Sequence, residues 1–165
     1  MKIPEFKVGE MIHFSGEFIV MRDAAQKRLR EILETKGEIP LYLKEKIIFY
    51  AGPAKKVSGS EIGAIGPTTS IRMDPFLEML LKLGVRATIG KGRRNDYVRE
   101  LCQKYSALYF ITSSGTAAAL SKKVVKADII AFPELGPEAV YRLEVEKFPL
   151  IVAIDSFGNS IYDRG

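Results

Sequence analysis

The sequence has very few of the side chains from which proteins build metal centres and nucleophilic pairs. It contains one cysteine, Cys102, one histidine, His13, and no tryptophan. A single cysteine excludes an intrachain disulfide and a site built from several thiolates, and a single histidine gives little support to a histidine metal cluster or a Ser/His pair. Cys102 follows Val98 and precedes Tyr105 at helical spacing, so we predict a buried structural thiol.

The chain also lacks a long apolar run. No stretch approaches the roughly 20 apolar residues of a membrane span, and the first residues do not resemble a signal peptide. We therefore expect no membrane partner and a cytoplasmic location, which suits a free thiol.

Length and charge set broader limits. A chain of 165 residues with 47% apolar side chains predicts one domain, residues 1–165. Twenty-five Lys and Arg against 20 Asp and Glu give a net charge of +5, which favours anionic partners or serves solubility alone. The cations are scattered through predicted helices rather than gathered in one arm, so we expect small acids rather than nucleic acid.

Strand and helix patterns alternate along the chain. Strands are predicted at 17–21, 46–52, 85–90, 107–113, 127–132 and 149–155, and helices at 22–37, 76–84, 95–105, 115–125 and near 137–147. Alternation favours an α/β or three-layer fold. Residues 150–163 resemble a hairpin and residues 1–21 carry no helix pattern, so we expect a mixed sheet with a separate small β layer.

The stretch GPTTSIRMDPF, residues 66–76, is unusually rich in hydroxyls for the approach to a helix. Asp74 and Pro75 have the pattern of an N-cap and a first-turn proline. If they begin the helix, the hydroxyls upstream are not all needed as caps. Ordinary turn and capping chemistry remains the alternative.

Three polar clusters stand where predicted strands give way to helices, the place where α/β proteins bind ligands. They are Arg22-Asp23, the segment GPTTSIR (66–72) and the segment GKGRRND (90–96). Each supplies a cation: Arg22, Arg72 or Lys91.

Arginine binds a carboxylate through two parallel hydrogen bonds, and lysine offers a compact charge. Thr68 and Thr69 add hydroxyls, and Gly66 allows close backbone approach. This combination suits a small acid with two carboxylates. The GKG turn lacks the further glycine and the Ser/Thr of a phosphate-binding loop.

Several segments, taken in order, resemble the β subunit of class I fumarate hydratases and tartrate dehydratases. They are RDAAQKR, YAGPA, IGPTTSIRMD, GKG, GTAAAL and the closing PELGPEAVYRLEVEKFPLIVAIDSFGNSIY. The likeness runs from about residue 10 to 162. The combination of GPTTSxRMD with an upstream RDAA carries most of its specificity.

The resemblance implies a swivelling β/β/α domain and an enzyme that reversibly hydrates fumarate to malate or dehydrates tartrate. It implies a hetero-oligomer, with a [4Fe–4S] cluster carried by a partner α subunit and not by this chain. By similarity, Arg22, Arg72 and Lys91 would bind the substrate carboxylates. Thr69 would contribute a hydroxyl, and Thr68 would stand at the reacting carbon as the base, with Lys91 favouring its alkoxide.

One position departs from the resemblance. Many relatives have a histidine where this chain has Gln26, one helical turn after Arg22, and we expect a supporting or structural role there. The sequence leaves open whether fumarate or tartrate is the substrate. A regulatory or scaffolding subunit, or an anion- or phosphate-binding α/β module, remains the alternative.

Overall fold

The computed structural model describes residues 6–53, 65–112 and 117–163. Its strands are β1 (Met11–Val20), β2 (Ile47–Phe49), β3 (Ala51–Pro53), β4 (Ile65–Pro67), β5 (Ala87–Gly90), β6 (Leu108–Thr112), β7 (Val124–Ala131) and β8 (Val140–Ile154). Its α-helices are α1 (Asp23–Lys36), α2 (Leu77–Lys82), α3 (Tyr97–Tyr105) and α4 (Ala117–Ser121). Short 3₁₀ helices cover Ile71–Phe76, Pro133–Glu138 and Ile161–Asp163.

The main sheet is mixed and closes on itself. Strands β1, β2, β5 and β6 are parallel neighbours in that order. The long strand β8 runs antiparallel to β6 and to β1, and β7 pairs with the first half of β8. The parallel half follows from the βα alternation, and β8 joins its two edges.

Alternate residues on the strands face two different environments. Phe18 and Val20 of β1 point into the interior of the closed sheet, where Phe18 packs edge-to-face on Phe148 with ring centroids 5.1 Å apart. Ile19 and Met21 point outward and pack against α1. Two sheet layers and one helical layer result. The expectation of a three-layer α/β domain with a mixed sheet is confirmed.

The predicted faces of two helices are also observed. Ala25 and Leu29 of α1 are fully buried, and Gly37 ends the helix in the left-handed conformation at φ 77°. In α3, Val98 and Cys102 are buried, as the spacing predicted.

The helix predicted near residues 137–147 is wrong. Residues 140–154 form β8, in which Leu143 and Val145 are buried between exposed glutamates. Hydrogen-bonded neighbours on both sides of β8 decide the conformation against the local helical pattern.

Two shorter predictions need correction. The helix expected over 115–125 is a single short helix, α4, and Val124 already belongs to β7; residues 113–116 lie outside the described residues. The hairpin expected at the end is a turn that returns to one bridge, between Ile154 and Ser160, and then forms a 3₁₀ turn.

Candidate functional site

The carboxyl ends of the parallel strands hold the segment that contains the hydroxyl run. The amide of Thr68 donates to the carbonyl of Tyr50, which follows β2, at 2.8 Å. Lys91, which follows β5, donates its amide to the carbonyl of Thr68 at 3.2 Å, and its own carbonyl accepts from the amide of Ser70 at 3.0 Å. These hydrogen bonds hold residues 68–70 between the carboxyl ends of β2 and β5.

Arg22 reaches the same place from the end of β1. Gly52 pairs with Gly66 in the hairpin of β3 and β4, and a β-carbon on Gly52 would stand 2.5 Å from Nη1 of Arg22. The guanidinium therefore lies against the β3–β4 pair. Gly66, the partner of Gly52 in this pair, is two residues before Thr68. Glycine at position 52 is what allows the approach.

Two buried polar atoms at this place have no hydrogen-bond partner among the described residues. They are Nε of Arg22 and Oγ1 of Thr68. Buried polar groups in folded proteins are nearly always hydrogen-bonded. A donor and a hydroxyl in this condition mark a place where a polar ligand can be received.

The other predicted cations are more exposed. Arg72 lies in the 3₁₀ helix that follows Ser70, with half of its side chain exposed, and its Nη2 is 3.4 Å from Oδ1 of Asp23. An exposed pair of this kind contributes little stability, so the guanidinium can exchange Asp23 for a ligand carboxylate. Lys91 and Thr69 are exposed and are bridged to each other through the backbone.

The backbone of all five predicted site residues thus comes to one edge of the sheet. Thr68 and Thr69 adjoin Lys91. Arg22 lies against Gly52, whose partner strand leads to Thr68, and Arg72 is linked to the start of α1 through the residue after Arg22. Three cationic residues and two hydroxyl residues therefore lie at one edge of the sheet, a set of groups suited to a small anion with more than one acidic group.

Gln26 lies beneath Arg22 on α1 and is fully buried. Its Nε2 is 3.2 Å from the sulfur of Met73 and 3.4 Å from the carbonyl oxygen of Arg22. Its Oε1 has no partner among the described residues. The side chain packs between α1 and the 3₁₀ helix that carries Arg72, a supporting position.

The prediction that Asp74 caps the helix is wrong. Asp74 lies inside the 3₁₀ helix Ile71–Phe76, which runs directly into α2, and neither start has a side-chain cap. Its buried carboxylate instead accepts hydrogen bonds from Nε of Arg94 at 2.5 Å and from the backbone amide of Asn95 at 2.8 Å. The side-chain amide of Asn95 adds a third bond at 3.0 Å.

Arg94 is the residue that sequence reasoning missed. Its side chain is fully buried, and it donates from Nη1 to Oγ1 of Thr88 at 3.0 Å and from Nη2 to the hydroxyl of Tyr50 at 3.3 Å. Burial raises the pKa of Tyr50 and of Tyr109, the two rings against the guanidinium, so both phenols stay neutral. Only the doubled arginine in GKGRRND points to it, and nothing local distinguishes Arg94 from Arg93.

The described residues offer no ligand set for an iron–sulfur cluster. Within residues 6–53, 65–112 and 117–163, no three His, Cys, Asp or Glu side chains lie close enough together to hold a metal ion. The single thiol, Cys102, is buried, and burial raises its pKa to about 12. One cysteine in the sequence cannot supply the several thiolates that hold an iron–sulfur cluster.

None of the helices in the described part of the chain is long and apolar enough to cross a bilayer.

Comparison with known proteins places this geometry in a family context. The family model described as "Fumarase C-terminus" matches residues 1–165. The chain is 41% identical over 168 residues to the putative L(+)-tartrate dehydratase subunit beta of Methanocaldococcus jannaschii, covering 98% of this chain and 86% of that protein. It is 37% identical over 164 residues to the L(+)-tartrate dehydratase subunit beta of Escherichia coli, covering 96% of this chain and 80% of that subunit.

A longer relative matches over the same region. Fumarate hydratase 2 of Leishmania major is 37% identical over 165 residues, which is 99% of this chain and 29% of that enzyme. The chain therefore spans less than a third of the length of this fumarate hydratase, and four-fifths or more of the tartrate dehydratase β subunits.

Proposed function

The chain belongs to the Fumarase C-terminus family, and on that premise we propose that it is the β subunit of a hydro-lyase. The reaction would be the reversible hydration of fumarate to malate or the dehydration of tartrate. Relatives named for both activities match the chain at similar identity. Both substrates are four-carbon diacids that would meet the same cations.

The observation that carries this proposal is the pair of unpartnered buried atoms, Nε of Arg22 and Oγ1 of Thr68. A diacid would supply acceptors for the guanidinium at one carboxylate. We assign the second carboxylate to Arg72 and Lys91, whose side chains are exposed at the same edge. Two clamps on two carboxylates fix the carbon chain between them, so the reacting carbon is held in place before chemistry begins.

We assign to Thr68 the position beside the reacting carbon, as the base that takes the proton next to a carboxylate. A hydroxyl is a poor base at its ordinary pKa, so a nearby cation has to favour the alkoxide, and Lys91 is the proposed source. Negative charge then builds up on the substrate as the proton leaves. Arg22, Arg72 and Lys91 are already in place to stabilise that charge, and preorganised charge of this kind is usually the largest catalytic contribution.

The [4Fe–4S] cluster is assigned to a partner α subunit, because this chain has one cysteine and it is buried. The β-subunit names of two relatives support such a partner. We expect the isolated chain to bind no cluster after anaerobic reconstitution. Iron analysis tests this point, and a stoichiometric cluster in the isolated chain would contradict it. A cytoplasmic location is proposed with it.

The proposal as a whole is tested by mixing the chain with a cluster-bearing α subunit from the same organism. The pair should form a stable complex on gel filtration and convert fumarate, malate or tartrate, and neither subunit alone should do so. A complex that forms but converts none of the three would favour a regulatory or scaffolding subunit. Tight binding of inorganic phosphate without turnover would favour an anion-binding module.

A further inference from the structure

A buried polar network lies beside the proposed substrate clamp, by which we mean Arg22, Thr68, Arg72 and Lys91. We call it the Arg94 network, and it consists of Arg94, Asp74, Thr88, Tyr50 and Tyr109. The guanidinium of Arg94 stands 4.7 Å from the ring centroid of Tyr109 and 5.2 Å from that of Tyr50. Every member is buried.

Three of the four partners of Arg94, namely Tyr50, Asp74 and Tyr109, contact or belong to a segment that carries a proposed site residue. The backbone carbonyl of Tyr50 accepts a hydrogen bond from the amide of Thr68. Asp74 belongs to the same 3₁₀ helix as Arg72 and accepts two hydrogen bonds from Asn95, next to Arg94. The network therefore ties the 3₁₀ helix to the loop that follows Lys91.

Tyr109 makes the most direct connection. Its hydroxyl is 2.8 Å from Oγ of Ser70 and 2.9 Å from the carbonyl oxygen of Gly92. These two residues flank the backbone bridge between Thr69 and Lys91. The fit here leaves no spare room, because a β-carbon on Gly90 would collide with Oγ of Ser70. One phenol thus fixes both halves of the bridge.

Burying an ion pair in a core carries a large desolvation penalty that apolar side chains do not have. Well-packed apolar residues often stabilise a fold equally well. Directional bonds, by contrast, define one geometry and resist small displacements. The location of this network, beside the clamp and touching three of its segments, therefore points to a positioning role.

We propose that the Arg94 network is a positioning device for catalysis: Arg94 and Tyr109 do not touch substrate, but hold Thr68 and Lys91 in register. The inference rests on the proposed function. Displacing the reacting groups by about 1 Å can cost on the order of a hundredfold in rate. Arg22 lies against the neighbouring β3–β4 pair and is not among the network's hydrogen-bond partners, so the carboxylate assigned to Arg22 should stay bound without the network. Tyr109→Phe also leaves the bond between Arg94 and Asp74, in the helix of Arg72, in place. The loss should therefore fall on turnover more than on binding.

The test uses Tyr109→Phe in the reconstituted complex. Replacing Arg94 by an apolar residue would leave Asp74 as an uncompensated buried charge and endanger folding. Tyr109→Phe keeps the ring against Arg94 and removes only the hydroxyl. The matched control is Tyr105→Phe, which removes a hydroxyl that bonds to Glu78 Oε2 at 3.0 Å and to no residue of the proposed site.

Tyr109→Phe should lower kcat about tenfold and change KM by less than about twofold, which is a loss of alignment more than of binding. Hydrogen exchange at the amides of Thr68, Ser70 and Lys91 should accelerate in Tyr109→Phe, while exchange in α1 stays unchanged. Tyr105→Phe should show neither effect.

Two results would overturn the inference while leaving the proposed function intact. One is an active complex in which both Tyr→Phe variants have the same kcat. The other is a Tyr109→Phe variant whose exchange accelerates equally over the whole chain, which indicates general destabilisation. A wild-type complex without turnover would contradict the proposed function itself, and this inference with it.

Discussion

The guanidinium of Arg22 lies so close to Gly52 that a β-carbon at residue 52 would stand 2.5 Å from Nη1. Gly52 has no left-handed backbone angle, so its small size, rather than its conformational freedom, is what this position requires. The contact places the cation that follows β1 beside the strand pair β3–β4, which leads to Thr68.

Gly52→Ala should therefore displace the Arg22 side chain without unfolding the protein, because the atom in the way is the far end of a flexible side chain. We expect kcat/KM to fall about tenfold, chiefly through KM, as expected when a substrate-binding cation moves. The measurement is a double-mutant cycle with Arg22→Ala. Once Arg22 is removed, Gly52→Ala should cause no further loss. Fully additive losses would contradict the assigned contact.

Arg72→Lys should keep the charge and lose the two-pronged geometry, so substrate binding should weaken, with KM rising about tenfold, and turnover should slow as well. The matched control is Arg86→Lys, which changes a similarly exposed arginine paired with Glu45 at 3.8 Å. Both substitutions should change the free energy of unfolding by less than about 0.5 kcal/mol, since both pairs are exposed. If Arg72→Lys and Arg86→Lys have the same KM and kcat, the assignment of Arg72 to substrate binding is contradicted.

The stability of the domain should decline in alkaline solution. Burial raises the pKa of Cys102 to about 12, whereas a thiol in the unfolded chain ionises near 8.5. Below pH 8.5 neither state loses the proton and the full stability is present. Above it only the unfolded state is deprotonated, so the free energy of unfolding falls until the folded thiol also ionises.

Between pH 8.5 and 10 this thiol alone should remove about 1–2 kcal/mol of stability. Burial raises the pKa of Tyr50 and Tyr109 as well and adds to the decline at higher pH. Urea unfolding at pH 8 and pH 10 is the measurement, with Cys102→Ala as the comparison. The variant should lose less stability than wild type over this interval; an identical decline in both would contradict the burial of the thiol.

Local patterns predicted the elements that local forces decide. The apolar spacing of Ala25 and Leu29 and the glycine at position 37 defined α1, and the spacing around Cys102 defined the buried face of α3. The helix prediction near 137–147 was wrong, because Ala139, Val140 and Leu143 also have helical spacing. The conformation of β8 depends on pairing with β1 and β7, whose residues are far away in sequence.

The candidate site divides in the same way. Arg22, Thr68, Arg72 and Lys91 could be proposed as site residues because each cluster stands at a strand end, where topology gathers side chains. Asp74 was misread because Asp-Pro is a local capping pattern, whereas its partner, Arg94, lies 20 residues away. A long-range ion pair leaves no periodic trace in the sequence.

The central claim is that residues 66–72 act on substrate and are not only the approach to a helix, and Thr68→Val tests it most directly. Valine keeps the shape of threonine and removes the hydroxyl. Because Oγ1 has no partner among the described residues, its loss should change the free energy of unfolding by less than about 1 kcal/mol. The control is Thr35→Val, which removes a hydroxyl that donates to the carbonyl of Glu31 on the exposed side of α1.

In the reconstituted complex, kcat of Thr68→Val should fall about a hundredfold or more while Thr35→Val keeps the wild-type value. Near-normal turnover in Thr68→Val, or a loss explained by unfolding at the assay temperature, would contradict the claim.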